Sequence, residues 1–206
     1  MDNIWKTVDF FEREIASYCN SKYAVATDSC TNSIFLCLKY LNSPCDVIVP
    51  KYTYISVPMA VKHAGYNVVF DNVDWVGSYQ LGNTPIIDSA CEFKEGMYKR
   101  NTFTCLSFHF KKLLPIGRGG MILTDNKDAV EWLKAARYDG RSSYFYNDIL
   151  KTNVDILGYH MYMTPEMAAR GIEQFYRVKN TDNTICGRSS EYKVDLSTVN
   201  VFNNSL

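Results

Sequence analysis

The sequence predicts an α/β fold, a three-layer sandwich with a mostly parallel central sheet and helices on both faces. Three observations point there. Short apolar runs without strict alternation recur along the chain, as in strands buried on both faces. Segments with helical periodicity separate them. The composition is globular, 47% hydrophobic and 21% charged over 206 residues, enough for one domain with a sizeable core or a domain with a small appendage.

The elements follow in order. YAVAT (23–27) is the first strand, and SIFLCLKYL (33–41) places Ile34, Leu38 and Leu41 on one helical face. DVIVP (46–50) is a second strand, closed by Pro50. SVPMAVKHAG (56–65) reads as a helix stopped by Gly65. The runs NVVFDNV (67–73), PIIDSA (85–90), TFTCLSF (102–108) and GGMILTD (119–125) are further strands, with less helix between them after residue 85. Asn126 caps a helix through DAVEWLKAARY. From 141 to 163 the chain is aromatic, polar and aperiodic, a long loop of the kind that often carries function. Thr164 then caps a helix with Pro165 at its first position, and Met167, Gly171, Ile172 and Phe175 share a face. Residues 1–180 therefore form the main domain, and 181–206 a short, polar, loosely held tail.

Charge and cysteine usage narrow the function classes. Lysine plus arginine equal aspartate plus glutamate at 22 each, which removes the electrostatic case for a nucleic-acid or membrane-surface partner. No apolar run reaches membrane-span length, and the opening MDNIWKTVDFFERE is interrupted by acidic residues, unlike a signal peptide. Seven cysteines without a CxxC pair indicate a reducing cytoplasm, with neither a disulfide framework nor a zinc site. The three dispersed histidines propose no metal site.

Four features carry possible chemistry. DSCTNS (28–33) lies between a strand and a helix, where free N–H groups and the helix dipole favour an anion, although pattern alone reads it as an N-cap. Asp88 closes an apolar strand, at the end where open α/β sheets place ligands; a turn or cap aspartate is an equal reading. Tyr52 and Tyr54 follow a strand end, where an aromatic either stacks on a flat ring or packs in the core. Lys111 and Lys112 precede GRGG, whose glycines permit close backbone packing. That run precedes its strand, so it is not a dinucleotide fingerprint. A phosphate cradle, a stacking aromatic, a strand-end carboxylate and a lysine together match the needs of pyridoxal phosphate.

In the order and spacing of DSCTNS, VPKYTYIS, IIDSA, SFHFKK–GRGG–ILTD, RYDGRS and LGYHMYMTPEMAA, the chain resembles the DegT/DnrJ/EryC1/StrS sugar aminotransferases. The resemblance implies the large domain of the fold type I pyridoxal phosphate enzymes, with the small C-terminal domain largely missing. It implies that Thr31 and Asn32 belong to the turn holding the cofactor phosphate, that Tyr54 stacks on the ring, and that Asp88 pairs with the pyridine nitrogen. Ser107 matches a phosphate-binding serine, and Lys112 matches the lysine that joins the cofactor aldehyde. Lysine there argues against the dehydratase branch, which has histidine. Cys30 replaces a glycine, and Cys91 stands where glutamine or histidine contacts the cofactor. His160 and Tyr162 replace asparagine and arginine, the asparagine reaching the phosphate of a neighbouring subunit.

The function so implied is transfer of an amino group from glutamate or glutamine to a nucleotide-linked keto-sugar, in a homodimer with shared sites. Lys112 and Asp88 are the catalytic pair, and Lys112 has a lowered pKa. The alternative is a non-catalytic binding or assembly module, or one half of a split enzyme.

Overall fold

The computed structural model describes residues 5–43, 45–141 and 154–203. Helix α1, Lys6–Cys19, buries Val8, Phe11, Ile15 and Cys19 along one face. It leads into strand β1, Tyr23–Thr27. Helix α2, Cys30–Leu41, begins three residues before the apolar periodicity does, because Ser29 caps it by accepting the Asn32 N–H. Strand β2, Val47–Pro50, helix α3, Ser56–His63, and strand β3, Val68–Asp71, form a right-length crossover, and β2 and β3 pair in parallel as a separate sheet. Next come β4, Tyr79–Gln80, β5, Ile86–Ser89, β6, Phe103–Ser107, and β7, Gly120–Thr124. Helix α4, Lys127–Ala136, is capped by Asn126, and α5, Pro165–Val178, by Thr164 with Pro165 in its first turn. A last short helix, α6, spans Asn200–Asn203.

The main sheet has the order β1-β7-β6-β5-β4. Its strands β1, β5 and β6 run one way, while β7 and β4 oppose them: β1·β7, β6·β7 and β4·β5 pair antiparallel, and only β5·β6 is parallel. The expected mostly parallel sheet is thus corrected to a mixed one. The cause is local, since parallel neighbours need a crossover and the connection 108–119 contains no helix, so β7 returns directly beside β6.

Alternate residues of the central strands enter two cores. Val25, Cys105 and Ile122 join one, built with α2, α3 and α4 through residues such as Leu36, Val61 and Leu133. Ala24, Ala26, Leu106, Met121 and Leu123 join the other, built with α1 and α5 through Phe11, Ile15 and Phe175. This two-sided burial makes the sheet the middle layer of three and explains the unbroken apolar runs. Gly171 on α5 sits so close to Phe11 that a Cβ would lie 2.6 Å from the ring.

Two regions depart from expectation. Much of the long loop expected over 141–163 lies outside the described residues, and its described part, 154–163, contains isolated bridges but no helix. The segment after 180 is not loosely held. Ile185 bridges Glu92, Arg188 bridges Val76, Leu196 and Phe202 are buried, and the Phe202 ring packs against Phe70 at 5.5 Å. A few apolar anchors in a polar sequence suffice, because their partners are backbone edges and aromatic faces already in place.

At the outer edge of β1, Glu12 of α1 is buried against the Ala26 N–H, 2.9 Å from its Oε1. Arg137 donates to the same Glu12 oxygen at 2.6 Å and to the Ala26 carbonyl, and Lys134 reaches the other Glu12 oxygen at 2.7 Å. Burial pushes the Glu12 carboxyl up, but the Arg137 and Lys134 charges outweigh it and hold it below its ordinary value.

Candidate active site

A cavity of about 520 Å³ opens where β1, β5 and β6 end. This is the edge at which open α/β sheets bind ligands. Its walls include Thr31, Tyr54, Asp88, Cys91, Ser107 and Lys112, six of the residues singled out in the sequence.

The N-terminus of α2 forms one side. Gly120 of β7 makes it possible, since a Cβ there would lie 2.3 Å from the Ser29 carbonyl carbon. The cap takes up the Asn32 N–H, and the Ser33 N–H reaches the Ser29 carbonyl at 2.9 Å. The Cys30 and Thr31 N–H groups are those a helix start leaves for an anion. The Thr31 and Ser56 hydroxyls meet at 2.7 Å, so the starts of α2 and α3 converge on this wall. Asp28 beside them is paired with Arg118 at 2.7 Å. Asn32 itself does not face the cavity; its side chain donates to Asp28 at 2.7 Å.

Asp88 forms the floor. Its Oδ2 accepts from the Tyr79 hydroxyl at 2.7 Å and its Oδ1 from the Ala90 N–H at 2.9 Å. Tyr79 stands directly across from it in the β4·β5 register, and is itself fixed by Thr53 at 2.6 Å. Burial pushes the Asp88 carboxyl above its ordinary value, against the opposing pull of Tyr79, Ala90 and Lys112. The Cys30 side chain turns inward, its thiol 3.8 Å from Asp88 Oδ1 and 3.5 Å from the Cys105 carbonyl. It packs under the floor rather than over the helix start.

The two lysines separate. Lys111 is exposed, its ammonium 5.6 Å from the Phe110 ring centroid. Lys112 turns inward. The connection after β6 folds back on itself through Phe108 N–H to Gly119, Ile116 N–H to Phe108, and Lys112 N–H to His109. This places the Lys112 ammonium 3.1 Å from the Cys91 sulfur. Burial works to lower the Lys112 pKa, but the neighbouring thiols and Tyr192 outweigh it, so the net direction is up. The lowered value expected for a desolvated lysine is therefore corrected: the sequence could not show that a second cysteine, Cys186, lies beside the first. The proximity of the two thiols and burial push Cys91 up, while Cys91 and the Lys112 charge hold Cys186 down at about 6 against its own burial.

Tyr54 stands at the rim, 61% exposed. Tyr52 is structural, its carbonyl accepting from the Trp75 indole at 3.0 Å. His160 lies away from the cavity on the surface, 3.2 Å from Asp139. Tyr79, Trp75 and Tyr192 complete the walls and were not legible as site residues. Tyr79 lies on a two-residue strand without periodicity, and Tyr192 on the segment read as a tail.

A buried carboxylate, an inward lysine and the start of a helix line one cavity. The family model of the DegT/DnrJ/EryC1/StrS aminotransferase family matches residues 2–81 and 94–203. The chain belongs to the DegT/DnrJ/EryC1/StrS aminotransferase family. The unmatched stretch, 82–93, is the one that holds Asp88 and Cys91. Among relatives, the spore coat polysaccharide biosynthesis protein SpsC of Bacillus subtilis is 26% identical, over 83% of this chain and 57% of its own. GDP-perosamine synthase of Caulobacter vibrioides is 24% identical, over 86% of this chain and 60% of its own. The crystal structure of AtS13 from Actinomadura melliaura superposes with a TM-score of 0.70 at 17% identity, over 84% of this chain and 60% of its own. The fold is that of the fold type I pyridoxal phosphate aminotransferases. The chain spans less than two thirds of the length of these family members. Family membership implies pyridoxal phosphate as cofactor, and among the described residues no helix is long and apolar enough to cross a membrane.

Proposed function

We propose that this chain provides the cofactor-binding part of a sugar aminotransferase that moves an amino group from glutamate or glutamine to a nucleotide-linked keto-sugar. The observation that carries the reading is the placement of Lys112 and Asp88 on one cavity, with the starts of α2 and α3 beside them. The name of GDP-perosamine synthase supports a nucleotide-linked substrate.

The residues fit pyridoxal phosphate. Asp88 is a buried carboxylate held by Tyr79, the Ala90 N–H and the Cys30 thiol, and a carboxylate has acceptor capacity left for a ring N–H. The Cys30 and Thr31 N–H groups and the Thr31 and Ser107 hydroxyls supply donors for the phosphate, and Tyr54 supplies an aromatic face. When bound, the cofactor supplies an aldehyde for the amine and a ring that takes up carbanion charge. Asp88 would hold the ring nitrogen and favour its protonated form. A cationic partner offsets the burial that now raises its carboxyl. Lys112 would hold the aldehyde, and its amine, when free and unprotonated, is the group placed to hold or move a proton at the reacting carbon. To act as a base it must first give up its proton, which the neighbouring Cys91 and Cys186 sulfurs oppose. A homodimer in the cytoplasm, with His160 directed to a neighbour's site, completes the reading.

The test is absorbance. Loading the purified chain with pyridoxal phosphate and removing the excess leaves a visible band that Lys112→Ala abolishes and that glutamate bleaches. Absence of the band at every cofactor concentration overturns the catalytic reading for this chain and favours a binding or assembly module.

A further inference from the structure

Cys186 lies on the segment that follows α5, and Cys91 on the turn that follows β5. The bridge between Glu92 and Ile185 sets these stretches antiparallel, so Cys91 and Cys186 stand directly opposite one another. The Cys186 N–H donates to the Cys91 carbonyl at 2.9 Å, and the Phe93 N–H to the Thr184 carbonyl at 3.0 Å. Opposed residues at such a position have Cα atoms about 5.5 Å apart, within the about 4.4–6.8 Å range of disulfides. Gly187 permits the approach, because a Cβ there would lie 2.7 Å from the Cys91 sulfur. The Lys112 ammonium sits 3.1 Å from the Cys91 sulfur. Cys186 is partly exposed and Cys91 is buried. One sulfur is therefore open to a reagent and the other waits behind it.

We propose that Cys91 and Cys186 form a redox-active dithiol in the cavity wall, with Cys186 the attacking sulfur and Cys91 the resolving one, reacting with low-molecular-weight disulfides. The Cys186 thiolate attacks one sulfur of oxidised glutathione, the glutathione S–S bond breaks, and one glutathione thiolate leaves. The Cys91 sulfur, giving its proton to the departing group, then attacks the Cys186 sulfur and expels the second glutathione thiol. The two protein thiols are oxidised by two electrons, and one oxidised glutathione is reduced to two thiols. Lys112 and Tyr192 face the pair from the cavity, with Glu191 and Asp88 the nearby carboxylates. The Lys112 charge favours the attacking thiolate. The resulting bond fastens the segment carrying Tyr192 to the cavity wall and removes both titratable thiols beside Lys112. The proposal does not depend on the aminotransferase reading, and its test needs no cofactor.

The experiment treats the reduced chain with oxidised glutathione and maps peptides without reduction. The expected product is a Cys91–Cys186 cross-linked peptide that dithiothreitol releases. Before oxidation, iodoacetamide labels Cys186 about tenfold faster than the partly exposed Cys45 at neutral pH. In Cys91→Ser, the glutathione adduct accumulates on Cys186 instead of resolving. In Lys112→Met, labelling of Cys186 slows severalfold. After oxidation of the parent chain, an amine-reactive reagent labels Lys112 faster than before. A parent chain in which Cys186 labels no faster than Cys45, or in which the glutathione adduct persists unresolved, overturns the proposal; both readings are taken on the unsubstituted protein.

Discussion

Tyr79 holds Asp88 with one hydroxyl, and the consequence of removing it has a defined sign. Tyr79→Phe takes a donor from a buried carboxylate at a cost of about 1.5–3 kcal/mol at neutral pH. Asp88 already has a raised folded-state pKa, so its destabilising burial is absent below its unfolded value of 3.8 and is felt as pH rises through the folded one. The variant raises that value further. Urea unfolding across pH therefore shows a gap between parent and variant that is widest at neutral pH and narrows toward pH 3.8. Glu12 behaves oppositely. Its folded pKa lies below 4.5, so its contribution is present above 4.5 and is lost as pH falls through the depressed value. Glu12→Gln leaves Arg137 with less countercharge and costs about 3–5 kcal/mol at neutral pH, a difference that the same titration shows shrinking in acid.

At the scale of elements, α5 tests packing against propensity. Alanine exceeds glycine as a helix former by about 1 kcal/mol, so an exposed Gly171→Ala would stabilise. Here the new methyl meets the Phe11 ring at 2.6 Å, and the expected result is a loss of about 1–3 kcal/mol, read as a lower urea midpoint. Thr164→Ala removes the cap of the same helix and costs about 1 kcal/mol in the same assay. DSCTNS read as a cap without showing that Ser29 is the capping residue, whereas the caps Asn126 and Thr164 were legible because a cap is a local property of a few residues. So were the apolar strands. The direction of β7 was not, since it depends on how the 108–119 connection folds. Nor was the pairing of Tyr79 with Asp88, which needs a register that two residues cannot announce. Six of the eight candidate residues reach the cavity. Asn32 misses it because consecutive helical residues point about 100° apart, and His160 because its stretch runs along the surface.

Across the whole molecule, the segment 184–203 couples the far side of β3 to the cavity wall. Phe202→Ala removes its last aromatic anchor on Phe70, and Leu196 and the bridges to Val76 and Glu92 remain. The expected outcome is local: amide exchange rises within 184–203 and at Gly77, whose N–H donates to the Gly187 carbonyl, while the β6 and β7 amides keep their protection. Uniform acceleration throughout the sheet would instead mean that the segment is part of the global folding unit. At the other end of the sheet, the Glu12–Arg137 arrangement has a consequence for solubility. Among the described residues no strand pairs beyond β1, yet its outward Ala26 amide and carbonyl are both taken by side chains, and Thr27 is bridged to Tyr162. An incoming chain finds the Ala26 donor and acceptor already occupied, which interrupts the row it would have to copy and works against the edge-on growth that turns open sheets into fibrils.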